Sequence, residues 1–194
     1  MKIAVEIEGI VPIMCNRFTD EAAESATSGT RLASNVDRGT PREQAESRLY
    51  KGADEKTLII PAPNLFSCLI EAGKFHKAGK SKLTTLKSSL IPAAMCIEEI
   101  ELAIKSREGW RVDTRAVRIP TTGGRINKHR PMFDDWSLTF TLDLDSDFIS
   151  AKLCRQIVDD AGKRIGLGDF RPACKGPFGR FVVTSWQELP EESR

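Results

Sequence analysis

Nine residues in the second half of the chain restrict its fold more than any others. Trp136, Leu138, Phe140, Leu142 and Leu144 alternate with Ser137, Thr139, Thr141 and Asp143, a period of two that suits a strand with one buried face and one wet face. Close behind, Ser150 stands as an N-cap, and Leu153, Ile157, Ala161 and Ile165 recur every four residues with Cys154 and Val158 beside them. That is an amphipathic helix. Both patterns also occur early in the chain. Ile3, Val5 and Ile7 alternate with Lys2, Glu6 and Glu8, and the apolar pattern resumes at Val11 and Ile13 after Gly9. Pro63 opens a helix with Leu65, Leu69 and Ala72 on one stripe, flanked by Cys68 and Phe75, which fades at Gly79.

Further strands are expected at Leu58–Ile60, at Ile100–Ile104, where Ile100, Leu102 and Ile104 alternate with Glu101 and Ala103, and at Phe181–Trp186. Two polar stretches interrupt the series, at about 17–55 and 105–135. The first contains Thr40-Pro41-Arg42-Glu43, a capping box with proline at the first helical position, which predicts a short helix to about Lys51. The second reads as irregular, with an extended piece at Ala116–Ile119 and a turn at Gly123-Gly124. Without these insertions the order is strand, helix, strand, strand, helix, strand. The fold class is therefore α+β, as a single 1–194 domain with a ferredoxin-like, RRM-like four-stranded antiparallel sheet and both helices on one face. The RNA-recognition module has the same element order.

Composition narrows the class of protein. A chain of 194 residues with 40% hydrophobic and 29% charged residues can bury a core. No apolar run approaches the roughly 20 residues of a membrane span, and the alternating amino terminus is not a signal peptide. The five cysteines include no CxxC, and only two histidines accompany them. They read as free thiols of a reducing cytoplasm and not as zinc ligands. No metal or cofactor is expected.

The most unusual segment is Ile165–Phe181, where Gly166, Gly168, Gly176 and Gly179 lie among Arg171, Lys175 and Arg180 and the rings of Phe170, Phe178 and Phe181. Glycines allow close backbone approach, cations bind phosphate, and rings stack bases. The net charge is only +2, yet the charges are segregated. Lys74, Lys77, Lys80, Lys82 and Lys87 form one window, and Arg107, Arg111, Arg115, Arg118, Arg125, Lys128 and Arg130 a second. Lys163, Arg164, Arg171, Lys175 and Arg180 form a third. Acids concentrate at Glu98–Glu101, Asp143–Asp147 and Glu188–Glu192. Such segregation predicts one basic face that binds a nucleic-acid backbone.

Two segments carry a family resemblance. Leu58-Ile-Ile-Pro-Ala-Pro-Asn-Leu-Phe-Ser-Cys-Leu-Ile-Glu-Ala-Gly73 resembles the strand and helix entry of the RAMP superfamily of CRISPR-associated proteins. Ala161-Gly-Lys-Arg-Ile-Gly-Leu-Gly168 followed by Lys175-Gly-Pro-Phe-Gly-Arg-Phe181 is similar to the glycine-rich loop before their last strand, and Ile7–Met14 to their first strand. The best match is the backbone subunit of Cascade-type effector complexes, in a short, diverged or phage-borne form. In that family an RRM-like palm carries a finger insertion and a thumb hairpin, which correspond here to 17–55 and 105–135. The resemblance implies copies assembled head to tail on single-stranded guide RNA, or single-stranded DNA, together with other effector subunits and without enzymatic activity. On this reading Gly166, Gly168, Arg171, Lys175, Gly176, Phe178 and Arg180 line the RNA path, and Arg17, Arg115, Arg118, Arg125, Lys128, His129 and Arg130 reach it from the insertions. Lys74, Lys77, Lys80, Lys163 and Arg164 complete the basic set.

Two alternatives stand beside it. A RAMP-type, metal-independent endoribonuclease would use His76 as general base or Asp37 in the finger-like insertion. A phage or assembly protein would keep the fold for protein contacts alone. Asp113, Asp134 and Asp135 are the nearest approach to a metal set, and paired acids before a strand are more often solvated.

Overall fold

A computed structural model describes residues 1–19, 24, 27, 39–118 and 123–190. Along the chain run β1 (Lys2–Gly9), β2 (Ile13–Met14), α1 (Pro41–Glu46), β3 (Ile59–Pro61), α2 (Ala62–Ala72), β4 (Lys77–Ala78), β5 (Ser81–Lys82), α3 (Ile91–Ala94), β6 (Met95–Ile97), β7 (Glu101–Ala103), β8 (Arg111–Arg118), β9 (Arg125–Phe133), β10 (Ser137–Leu144), α4 (Ala151–Asp160) and β11 (Phe181–Glu188).

The main sheet has the order β11-β1-β10-β6 and is antiparallel throughout. With α2 between β1 and β6 and α4 between β10 and β11, this is the ferredoxin-like arrangement that the element order predicts. One face is apolar because alternation puts it there. Ile3, Val5 and Ile7 of β1 and Leu138, Phe140, Leu142 and Leu144 of β10 are all buried. Leu65, Leu69 and Ala72 of α2 and Cys154, Ile157 and Val158 of α4 cover them in one continuous cluster. Each fully buried aliphatic side chain contributes about 1.5–3 kcal/mol.

Ser150 caps α4 by accepting from the Leu153 amide at 3.3 Å. The helix then widens into a π-turn over Ala161–Ile165, closed by the Gly166 amide donating to the Ala161 carbonyl at 2.8 Å. Thr40 and Glu43 form the reciprocal capping box of α1.

Four sequence expectations need correction. The strand at 100–104 exists as β7, but it pairs with β3 in a separate two-stranded sheet. The second strand of the main sheet is β6, three residues against the end of β10, too short to display a period. Helix α1 stops at Glu46 and not near Lys51, because the chain turns there and sends Leu49 into the core. Helix α2 ends at Ala72, followed by a 3-10 turn and the small β4–β5 hairpin around Gly79.

The largest correction concerns 105–135. It is a regular hairpin in which β8 and β9 pair from Arg111↔Met132 to Arg118↔Arg125, and β2 extends it by pairing with Phe133 and Met132. Charged residues on both faces hide its period. Ile119 of the expected extended piece lies outside the described residues.

Gly162 packs against the start of β11, where an added Cβ would stand 2.2 Å from the Phe181 carbonyl oxygen. Gly162→Ala is expected to lower stability by about 1–3 kcal/mol despite the better helix propensity of alanine. Urea unfolding monitored by tryptophan fluorescence measures it, and an unchanged midpoint would contradict this packing.

Candidate nucleic-acid interface

The segment after β1, Tyr50, the start of α2 and the glycine-rich loop converge on one cleft of about 350 Å³, and the base of the β8–β9 hairpin pairs with β2 beside it. Its polar lining is Asn16, Tyr50, Asn64, Ser67, Asp169 and Arg171, over buried Met14, Cys15, Ile60, Cys68 and Leu167.

The loop is held by its own backbone. The Leu167 amide donates to the Gly179 carbonyl, Asp169 to Met14 and Gly179 to Pro12, all at 2.8 Å. The Gly176 amide reaches the Arg171 carbonyl at 2.9 Å. These amides are therefore committed to the fold and are not presented to a ligand. The glycines have the same purpose. Gly166 and Gly168 sit at φ 76° and 81°, and a Cβ on Gly168 would lie 2.5 Å from the Met14 carbonyl oxygen. At Gly176 a Cβ would collide with the backbone of Phe170. Close packing accounts for the glycines expected to face the ligand, Gly168 and Gly176 against neighbouring backbone and Gly166 against the Pro172 ring.

The loop offers side chains instead. Arg171 lines the cleft, with Nη1 on the Gly168 carbonyl at 3.2 Å. Lys175, in the left-handed region, and Arg180 are exposed, and Phe178 is half-buried with Phe170 at a ring separation of 6.1 Å. The hairpin comes against this loop: the Arg115 guanidinium lies 4.9 Å from the Phe178 ring centre. Arg130 is only 5% exposed and donates to Asp169 at 2.8 Å, with Asp113 at 3.9 Å. Arg130 thus joins hairpin to loop and is not an exposed phosphate contact.

Cross-strand register matches cation to cation, Arg115 opposite Lys128 and Arg118 opposite Arg125. Asp113 compensates Arg115 at 2.9 Å. Lys128 is half-buried, and burial is the main cause that pushes its pKa below the usual 10.5, with Arg48 and Arg130 adding to it against the pull of Asp169. His129 shares a 2.7 Å hydrogen bond with Thr114. Arg17 reaches the Ser47 carbonyl at 3.4 Å beside the cleft residue Asn16.

Five predicted residues fall elsewhere. Lys74 lies ten residues beyond Asn64, roughly 15 Å along the helix direction, and pairs with Glu71 at 3.0 Å. Lys77 and Lys80 belong to the adjoining β4–β5 hairpin, while exposed Lys163 and Arg164 lie on the π-turn. Arg164 bonds Asp160 at 2.7 Å and lies 5.2 Å from the Phe75 ring centre. Asp37 lies outside the described residues.

The other sheet face is unsuited to stacking bases. Strand alternation puts Glu6, Glu8, Thr139, Thr141 and Asp143 there, and the one aromatic of β1 and β10, Phe140, faces the core instead. Cleft residues not expected from the sequence are Asn16, Tyr50, Asn64 and Ser67, polar residues from three separate segments, the last two both on α2.

Asp134 is engaged by Arg111 (Nη2 to Oδ1 at 2.8 Å), and Asp135 by Ser106 and the Arg107 amide. Those bonds hold both carboxyls below the usual range. Among the described residues no group of three His, Cys, Asp or Glu is placed to hold a metal, and no helix is long and apolar enough to cross a membrane.

No protein-family model matches the chain, and no curated protein does. Among solved structures, a chain of the cryo-EM structure of the Type III-B Cmr-beta bound to cognate target RNA aligns over 96% of this chain with a TM-score of 0.53 and 9% identity. The present chain spans 59% of that one. A chain of a Type IV-B CRISPR complex aligns over 100% of this chain and 96% of its own, with a TM-score of 0.47 and 12% identity. At 9% identity the likeness to the first is one of fold.

Burial pushes the Cys15, Cys68 and Cys154 thiols up to about 12, whereas Cys96 and Cys174 are exposed. In native protein at pH 8 a thiol reagent should label Cys96 and Cys174 first and the other three only on unfolding. Mass spectrometry of the labelled peptides checks it; early labelling of Cys15 or Cys68 would mean that the cleft floor opens.

Proposed function

We propose that this protein is a non-enzymatic, sequence-independent subunit that binds single-stranded nucleic acid, RNA ahead of DNA, in a CRISPR-type ribonucleoprotein assembly. Copies stack head to tail along the strand, alongside other subunits. The observation that carries the reading is the hairpin's pairing of cation with cation, Arg115 with Lys128 on one face, where Asp113 offsets only Arg115, and Arg118 with Arg125 on the other. Like charges directly opposite destabilise a sheet, and a phosphate between them removes that repulsion. Arg171, Lys175 and Arg180 continue the positive lining along the loop. The strand runs through the cleft and on past the Arg115 side of the hairpin, which meets the loop at Phe178, and not over the carboxylate-bearing sheet face. Because the lining offers charge and ring faces, affinity follows the backbone and not the bases.

The fold likeness to a subunit of an RNA-bound assembly supports the same reading. A nuclease reading finds less support: His76 Nε2 is buried 3.1 Å from Asp160 Oδ2, off the line of a hydrogen bond, and so is poorly placed to take a proton from an outside substrate.

Fluorescence anisotropy with labelled oligonucleotides tests the site. Arg171→Ala with Lys175→Ala should weaken binding to every sequence about tenfold or more and flatten the logarithmic salt slope by about 1.4, two single-strand phosphate contacts. An unchanged slope overturns the assignment. Bound RNA should also protect Cys174 from the thiol reagent and leave Cys96 unprotected. Nucleic acid that co-purifies, with nuclease-protected fragments of regular length, would mark the stacked assembly, and cleavage lost on His76→Ala would favour the nuclease.

Lys128→Met separates function from stability. Lys128 holds its proton less tightly folded than unfolded, so its charge opposes folding below the lowered pKa, and this opposition fades as pH rises toward 10.5. The variant should bind RNA more weakly yet melt at a higher temperature at neutral pH, with the gap closing in alkaline buffer. A variant that melts lower at neutral pH would contradict this account.

A further inference from the structure

At the far end of α2 from the cleft, the chain holds a leucine out in water on a braced turn. Leu86 is fully exposed, while the Thr85 amide donates to the Ser88 carbonyl at 2.8 Å and the Leu90 amide to Leu83 at 2.8 Å. The Thr84 hydroxyl ties the turn to α2 through the Ile70 carbonyl at 2.7 Å. Between Leu86 and Phe75, itself 45% exposed, runs a groove of about 790 Å³ rimmed by Lys74, Lys82 and Lys87. Its single carboxylate, Glu71, is already paired with Lys74.

We infer that this groove docks an acidic segment of a partner protein that carries a large apolar side chain. The turn is pre-organised, so little conformational freedom is lost when Leu86 is covered. The lysine rim selects carboxylates around the apolar anchor. Nucleic acid fits less well, because cations already stand 5.2 Å from the Phe75 ring centre, Lys74 and Arg164 both. A base would have to displace them to stack, and a phosphodiester chain has no use for Leu86. This surface is separate from the cleft and does not depend on the nucleic-acid reading.

The probe is a short peptide with glutamates on both sides of a central Leu-Phe pair, titrated into isotope-labelled protein by NMR. Comparators are the same peptide with glutamine for glutamate, an oligouridylate, and phosphatidylcholine vesicles containing phosphatidylserine. Saturable shifts confined to the signals of residues 70–90 are expected with the acidic peptide. Leu86→Ser should weaken them about tenfold, as should Lys74→Glu combined with Lys82→Glu, whereas oligouridylate binding should survive Leu86→Ser. Since Leu86 is wholly exposed, its replacement does not endanger folding. No response to the acidic peptide, an equal response to the glutamine version, or a response at these residues to oligouridylate or vesicles overturns the proposal.

Discussion

Strand β1 is central to everything else. It lies between β11 and β10 in the main sheet and presents Ile3, Val5 and Ile7 to one side only. Those side chains can leave water only beneath α2 and α4, so both helices must lie on that face. Where β1 ends, the Gly9 amide bonds the Trp136 carbonyl, and the Trp136 indole donates to the Val11 carbonyl at 2.9 Å. The chain thereby leaves the sheet in a defined direction and supplies Pro12 and Met14 as acceptors for the glycine-rich loop. The position of the cleft is thus a consequence of one-sided burial.

The electrostatics follow from where that loop settles. Asp169 and Asp113 would repel a polyanion if they stood alone, but Arg130 lies between them, buried, and Arg115 covers Asp113. Truncating Arg130 would leave two carboxylates without a shared partner in a poorly solvated place. What remains uncompensated is cationic, and Lys128 is held there against its own hydration. On the proposed reading, that cost to folding is what keeps a cation available for phosphate.

Much of the frame was legible in one dimension. The two long strands, the two helices, the Thr40–Glu43 capping box and the Ser150 cap all follow from periods and cap chemistry that act within a few residues. What was hidden has specific causes. Strand β6 is three residues long, below the length at which alternation can be seen. Strand β7 alternates well, but nothing in Glu101–Ala103 says that its partner is β3 and not β10. Strands β8 and β9 mix charge and apolar residues on both faces, so their hairpin carries no one-sided signal. The cleft was half legible: the loop and hairpin cations stand out, whereas Asn16, Tyr50, Asn64 and Ser67 are ordinary residues until the fold gathers them.

The same division separates Arg130 of β9 from Arg171 of the loop. Residue order alone determined that the chain would make a ferredoxin-like layer with two insertions, because burial of an amphipathic face is dictated by local spacing. Only the tertiary structure decided that Arg130 would be interior and Arg171 at the cleft, that the glycines would meet neighbouring protein atoms instead of ligand, and that Lys74 and its neighbours would sit apart. Those outcomes depend on which distant segments come within a few ångströms of each other, and such distances are set by the packing of the whole chain.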